Sequence, residues 1–233
     1  MSDPDRIAHF LLKPFARACK EFDLLAAADR VAVAVSGGKD SRTMLDLLLR
    51  YRRRVPFDYE VAAIHVVGTE AGLPDVTGTL VPWFEALGVD YHLVPIDLPE
   101  NEPLPMDCFR CAWNRRKTLF QTAHGLGYPK LALGHHADDA AVTTLLNLLF
   151  SGRLETLEPR VEFFDGEITV IRPLIHTEAK ELARYGRAAG FPPDPPCPFE
   201  SDTNRQKIEA FLRSFGSQQG QIRANLWRTA RGE

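Results

Sequence analysis

At 233 residues, with 45% hydrophobic and 25% charged side chains, the chain carries enough apolar material for one generous α/β domain and lacks the low hydrophobicity of disorder. No run approaches the roughly 18 apolar residues of a membrane span. The acidic start, Met1-Ser2-Asp3-Pro4-Asp5, lacks a leader's basic region, so a cytoplasmic protein with no membrane partner is expected. A net charge of -3 argues against coating nucleic acid through global positive charge, and leaves three local basic patches, at 50–54, at 110–117 and from Arg205 onward.

The periodicity predicts an opening amphipathic helix or helix pair over residues 7–28, interrupted at Pro14, with Ile7, Phe10, Leu11, Phe15 and Phe22 as its apolar positions. A β-branched run at 30–35 reads as a strand, Ser36-Gly37-Gly38 as a turn, and 41–51 as a helix. The same grammar continues with strands at 59–67, 91–96 and 131–133 and helices at 76–87, 111–126 and 139–150. Strands alternating with helices imply βαβ units and a mostly parallel sheet buried on both faces. Ligands of such sheets bind at the carboxyl ends of the strands. Two proline-rich segments, 99–107 and 191–198, read as stiff loops around a site rather than as linkers.

Residues 36–41, SGGKDS, are not the Walker pattern, which needs four residues between its first Gly and the Gly-Lys pair. Gly37 and Gly38 let backbone approach phosphate oxygens, the following helix start offers N–H groups, and Ser36, Lys39 and Ser41 add donors and charge. The motif resembles the PP-loop of the N-type ATP pyrophosphatases. That likeness implies ATP, cleavage between its α and β phosphates, and a three-layer α/β/α sandwich of the adenine nucleotide alpha hydrolase type.

Residues 134–139, GHHADD, supply two His and two Asp after a strand. Adjacent residues at a helix start diverge, which argues against their converging on one metal ion. Cys108-Phe109-Arg110-Cys111 is a C-x-x-C pair, by itself ambiguous among half a zinc site, a redox dithiol and a cluster corner. Of the other two cysteines, Cys19 falls in the opening helix and reads as a small buried hydrophobe, while Cys197 lies in the second proline loop.

The SGGKDS and GHHADD segments, Cys108 to Arg116, Pro196-Cys197, Asn204 to Ile208, and Ile171-Arg172-Pro173-Leu174 occur in the order seen in the tRNA 2-thiocytidine synthetase family, over residues 31–213. The chain resembles that family. What the resemblance implies is ATP and Mg2+ bound by Ser36, Gly37, Gly38, Lys39, Asp40, Ser41, His65, Gly134, His135, Asp138 and Asp139, with Asp138 or Asp139 on the Mg2+. It implies a 4Fe-4S cluster held by Cys108, Cys111 and Cys197, with one iron open for sulfide. Lys39, Asp40 and the three cysteines would be the catalytic set. A nucleobase C2 oxygen would be adenylated and then replaced by sulfur, the substrate being a tRNA cytidine; the alternative readings are a PP-loop enzyme thiolating or desulfurating a non-tRNA substrate, and a non-catalytic nucleotide or cluster sensor. Expected partners are tRNA, a cysteine desulfurase or other sulfide source, and a second copy in a homodimer. Two family carboxylates are missing: Val67 stands for an Asp and Val142 for a Glu, with Glu70 near the first. The expected organisation is a helical segment at 1–28, a PP-loop ATPase domain at 29–215 with the C-x-x-C loop and helix inserted, and a basic tail at 216–233.

Overall fold

A computed structural model describes residues 3–104, 106–194 and 203–232. Cys197, with its segment 195–202, lies outside the described residues.

Six strands form one sheet in the order β3-β2-β1-β4-β6-β5. They are β1 (Arg30–Ala34), β2 (Glu60–Val67), β3 (Asp90–Pro95), β4 (Lys130–Ala132), β5 (Arg160–Phe163) and β6 (Ile168–Ile171). All pairings are parallel except β5 with β6. The order turns back between β1 and β4, so the crevice at their carboxyl ends is the topological switch point where such sheets take ligands.

Side chains alternate across the sheet as strand geometry demands. Val31, Val33, Val61 and Ala63 face one layer, formed by α1 (Pro4–Glu21), α2 (Lys39–Arg52), α3 (Thr77–Leu87) and α6 (Ala179–Ala188). Ala32, Ala62, Ile64 and Leu131 face the other, where Phe120 and Ala123 of α4 (Cys108–Gly125) cover them. This is the expected three-layer sandwich. In a separate cluster, Val142 and Leu145 of α5 (Ala137–Ser151) pack against Ile208 and Leu212 of α7 (Asn204–Ser214). The basic stretch after 216 is also ordered, as α8 (Gln219–Ala230).

The predicted break at Pro14 does not occur. Helix α1 runs through it, capped by Asp3, whose carboxylate accepts the Asp5 N–H at 2.9 Å, and opened by Pro4 at its first position. An interior proline costs about 3 kcal/mol; burial of Ile7, Leu11, Leu12, Phe15 and Ala18 in the main core offsets it. The helix ends at Glu21, not 28, and Phe10 points outward at 57% exposed. Helix α4 starts three residues before the expected 111, so both cysteines of the pair stand in the helix. Strands β5 and β6 and helices α6 to α8 were not among the predicted elements.

Cys19 is buried at 4% exposure, and burial pushes its thiol up to about 12. Iodoacetamide at pH 8 should leave Cys19 unmodified in the folded protein and label it in denaturant, read by peptide mass spectrometry.

Candidate functional site

The loops after β1 and β4 meet in the switch-point crevice. Gly37 sits at φ +94°, and a Cβ there would lie 2.8 Å from Val76 Cγ2, so both backbone and space call for glycine. Ser36 N–H donates to Ser41 Oγ at 3.2 Å, and Ser41 Oγ donates to the Gly38 carbonyl at 2.9 Å, closing the turn onto the first turn of α2. Buried Arg42 braces the turn from behind, with Nε donating to the Gly37 carbonyl at 3.0 Å and its guanidinium 5.0 Å from the Trp83 ring centroid. Gly134 seats the second loop: a Cβ would lie 3.2 Å from both Asp40 C and Ser41 N, so glycine lets the two loops touch through backbone without displacing either.

Asp194, from the second proline-rich loop, reaches the start of α2. Its Oδ1 accepts the Lys39 N–H at 2.7 Å and its Oδ2 accepts from Lys39 Nζ at 2.8 Å. A carboxylate thus engages the donors that the PP-loop resemblance assigns to phosphate. Burial works against charge on Lys39, but the bond to Asp194 and the field of Asp40 outweigh it and raise its pKa. Burial likewise opposes ionisation of Asp194, and the two bonds from Lys39 prevail and lower its pKa.

The GHHADD residues converge beside Lys39. A cavity of about 280 Å³ is bounded by Lys39, Asp40, His136, Asp139, Val142 and three arginines, Arg205, Arg213 and Arg223. Arg205 pairs with Asp139 and Arg223 with Asp138. The other Asp138 oxygen accepts the Ala179 N–H at 2.7 Å, and the other Asp139 oxygen accepts the His136 N–H at 2.9 Å. Asp40 differs. Its Oδ1 is buried without a hydrogen-bond partner, and burial raises its pKa. His136 Nδ1 is also buried and unsatisfied.

His135 turns toward Arg172, whose Nε–H donates to its Nδ1 at 3.3 Å. Burial first, then the positive fields of Arg172, Arg205 and Arg116, pull His135 down to about 4, which makes it a neutral acceptor at pH 7. His65 donates from Nδ1 to the Val35 carbonyl at 2.7 Å and lines a separate cavity of about 410 Å³ with Val67 and Glu70, at the carboxyl ends of β2 and β3.

Cys108 and Cys111 open α4, one turn apart, at the N-terminal end of the helix. Cys111 is buried among Val66, Leu73, Ile96 and Met106 at the same sheet edge, and Cys108 is exposed. Among the described residues no group of three or more His, Cys, Asp or Glu side chains is arranged as a metal site, and Cys197 falls outside them.

Comparison with known proteins decides the family. A tRNA-cytidine(32) 2-sulfurtransferase from Anaeromyxobacter dehalogenans is 34% identical over 97% of this chain and 80% of its own length. Another from Delftia acidovorans is 34% identical over 88% of this chain and 67% of its own. The chain belongs to the tRNA-cytidine(32) 2-sulfurtransferase family. No protein-family model matches it. A U34-tRNA thiolase from Methanococcus maripaludis, solved with its 4Fe-4S cluster, shares the fold at a TM-score of 0.80 over 97% of this chain and 79% of that one, with 22% identity.

Within this member of the family, the structure brings Ser36 to Ser41, Gly134, Asp138 and Asp139 into one crevice, sets His135 behind it with Arg172, and keeps His65 and the cysteine pair along the same sheet edge. Sequence reasoning missed Asp194, Arg205 and Arg223 as site residues. The basic run after 205 was visible, but its inward pairing was not. Gly134→Ala should force the loops apart and destabilise the fold by about 1–3 kcal/mol in a denaturant titration. Asp194→Ala should free Lys39 and tighten binding of inorganic pyrophosphate several-fold by calorimetry; an unchanged affinity would show that Asp194 does not compete for the seat.

Proposed function

We propose that this chain is an ATP-dependent enzyme that replaces the C2 oxygen of a tRNA cytidine with sulfur, at position 32 as in the names of its relatives. The observation that carries the reading is the meeting, along one sheet edge, of the SGGKDS turn, the GHHADD segment and the cysteine pair. Residues 29–215 form the ATPase domain in this reading, between the helical segment 1–28 and the basic tail 216–233.

The base's C2 oxygen attacks the α-phosphate of ATP, and pyrophosphate departs. The Gly38 and Lys39 N–H groups, the Ser36 and Ser41 hydroxyls and the Lys39 ammonium are fixed donors for the charge that leaves. The Lys39 N–H and ammonium are held by the Asp194 carboxylate in this structure, and Asp194 gives them up when phosphate takes its seat. Mg2+ prefers carboxylate oxygens. Asp40, whose Oδ1 is buried and unsatisfied on the cavity wall, fits it, with Asp138 and Asp139 beside it once Arg223 and Arg205 shift to phosphate. Adenylation turns the carbonyl oxygen into a leaving group, and AMP departs when sulfur takes its place.

The thiolates of Cys108 and Cys111, with Cys197, fit a 4Fe-4S cluster as its ligands, on the ground that soft sulfur donors at a helix start suit iron–sulfur chemistry. Held by these cysteines, the cluster would supply sulfur-transfer chemistry, with sulfide coming from a cysteine desulfurase or another source. Exposed Leu148, Leu149, Phe150 and Phe211 offer apolar surface for a second copy. Among the described residues no helix is long and apolar enough to cross a membrane.

Reconstituted protein, given ATP, Mg2+, sulfide and unmodified tRNA without oxygen, should yield 2-thiocytidine in the nucleoside digest by mass spectrometry. Lys39→Ala should lower that yield by about 10²–10³-fold. Cleavage of ATP to AMP and pyrophosphate with no sulfur in the tRNA would contradict the assignment.

A further inference from the structure

Helix α4 carries aromatic rings on its water-facing side that the core does not use. Phe109 is 74% exposed and Trp113, one turn on, is 49% exposed, while the helix buries Cys111, Asn114, Thr118, Phe120 and Ala123. The exposed row runs into a mainly apolar cavity of about 470 Å³, walled by Trp113, Arg116, Lys117, Phe120, Phe164 and Ile168. This cavity is distinct from both cavities of the nucleotide crevice, which share none of these residues.

Phe164 forms the opposite wall at a structural cost. It sits in the turn joining β5 to β6 at φ +55°, followed by Asp165 at +54° and Gly166 at +92°. The turn is closed by Gly166 N–H to the Phe163 carbonyl at 3.2 Å and Glu167 N–H to the Phe164 carbonyl at 3.1 Å. Left-handed backbone in hairpin turns favours Asn, Asp or Gly and strains a bulky side chain. The ring gains little burial in return, being 62% exposed, and touches the core through an edge-on contact with Phe120 at 5.9 Å. Packing alone gives no reason for a phenylalanine here.

Charge beside the cavity selects the partner. Arg110 pairs with Glu102, and Lys117 with Asp97 at 2.6 Å, whereas Arg115 and Arg116 have no ion pair with any described residue. Arg116 lines the cavity itself, and its positive field reaches His135 and Arg172 beside the nucleotide crevice. At the far rim His124 and Glu167 lie 3.9 Å apart. Rings next to unpaired arginines are the recognition chemistry of unpaired nucleotides: the rings take a base face and the cations take phosphate.

We propose that this cavity receives an unpaired base of the RNA substrate, stacked against Trp113 and Phe164, with Arg116 on an adjoining phosphate. The proposal rests on the tRNA reading above. Residues 116–120 lie about 8–13 Å along the helix from Cys111 at about 1.5 Å per residue, roughly two to four stacked nucleotides at about 3.4 Å each. The base received is therefore one roughly two to four nucleotides from the modified one.

The test is binding of unmodified tRNA to the full-length protein, by fluorescence anisotropy over a series of salt concentrations. Trp113→Ala and Phe164→Ser should each weaken binding about tenfold at every salt, with an unchanged salt slope. Arg116→Ala should flatten the slope by about 0.7–0.9. Phe164→Ser removes only an exposed turn residue, and unchanged pyrophosphate affinity in each variant reports an intact crevice. Wild-type tRNA affinity retained in both aromatic variants would overturn the cavity proposal and leave the thiolase reading standing. Failure of the wild-type protein to bind tRNA at low salt would overturn both.

Discussion

The close approach of Gly134 to the first turn of α2 is the constraint on which the rest of the site depends. Backbone of the β4 loop lies where a single added carbon would come within 3.2 Å of Asp40 and Ser41 main-chain atoms. That contact brings His136, Asp138 and Asp139 up to Lys39 and Asp40 and makes one cavity from two loops about 95 residues apart in sequence. It is possible because β1 and β4 are hydrogen-bonded neighbours at the point where the strand order turns back. The fold supplies the crevice, and glycine lets chemistry-bearing side chains share it.

Much of this was legible in the sequence, because strongly patterned segments report their own geometry. The runs at 30–35 and 59–67 became β1 and β2 within a residue or so, and SGGKDS lies at the strand-to-helix junction its residues require. What was not legible depends on tertiary partners. Pro14 reads locally as a break, yet the buried face of α1 carries the helix through it. Asp194 lies 155 residues from Lys39, and no spacing rule could bring its carboxylate to that helix start. The basic run after 205 reads as surface charge, but Arg205 and Arg223 turn inward to aspartates and Arg231 pairs with Glu158 at 3.7 Å.

Valine stands at the two positions where the resemblance leads one to expect carboxylates, and at one of them the structure shows what the apolar side chain does. Val142 is buried against Ile208 and Leu212, so an apolar side chain there helps to dock α7, and α7 carries Arg205 and Arg213 into the cavity wall. The same helix brings Glu209 to the cavity, where it pairs with both arginines, so α7 supplies an arginine–carboxylate network rather than free positive charge. Val67 lines the neighbouring cavity with Glu70, which is exposed on the short 3-10 turn after β2. Nothing in the structure explains why that strand end carries valine.

The central claim is that a cysteine pair at the start of α4 serves iron chemistry beside an ATP crevice. Iron counting with EPR on anaerobically reconstituted wild-type protein and on Cys108→Ser, Cys111→Ser and Cys197→Ser variants tests it most directly. The account predicts about four irons per chain in the wild type, lost in each of the three variants, with a Cys19→Ser variant fully loaded. Zinc in place of iron, or full loading in any of the three, would contradict it.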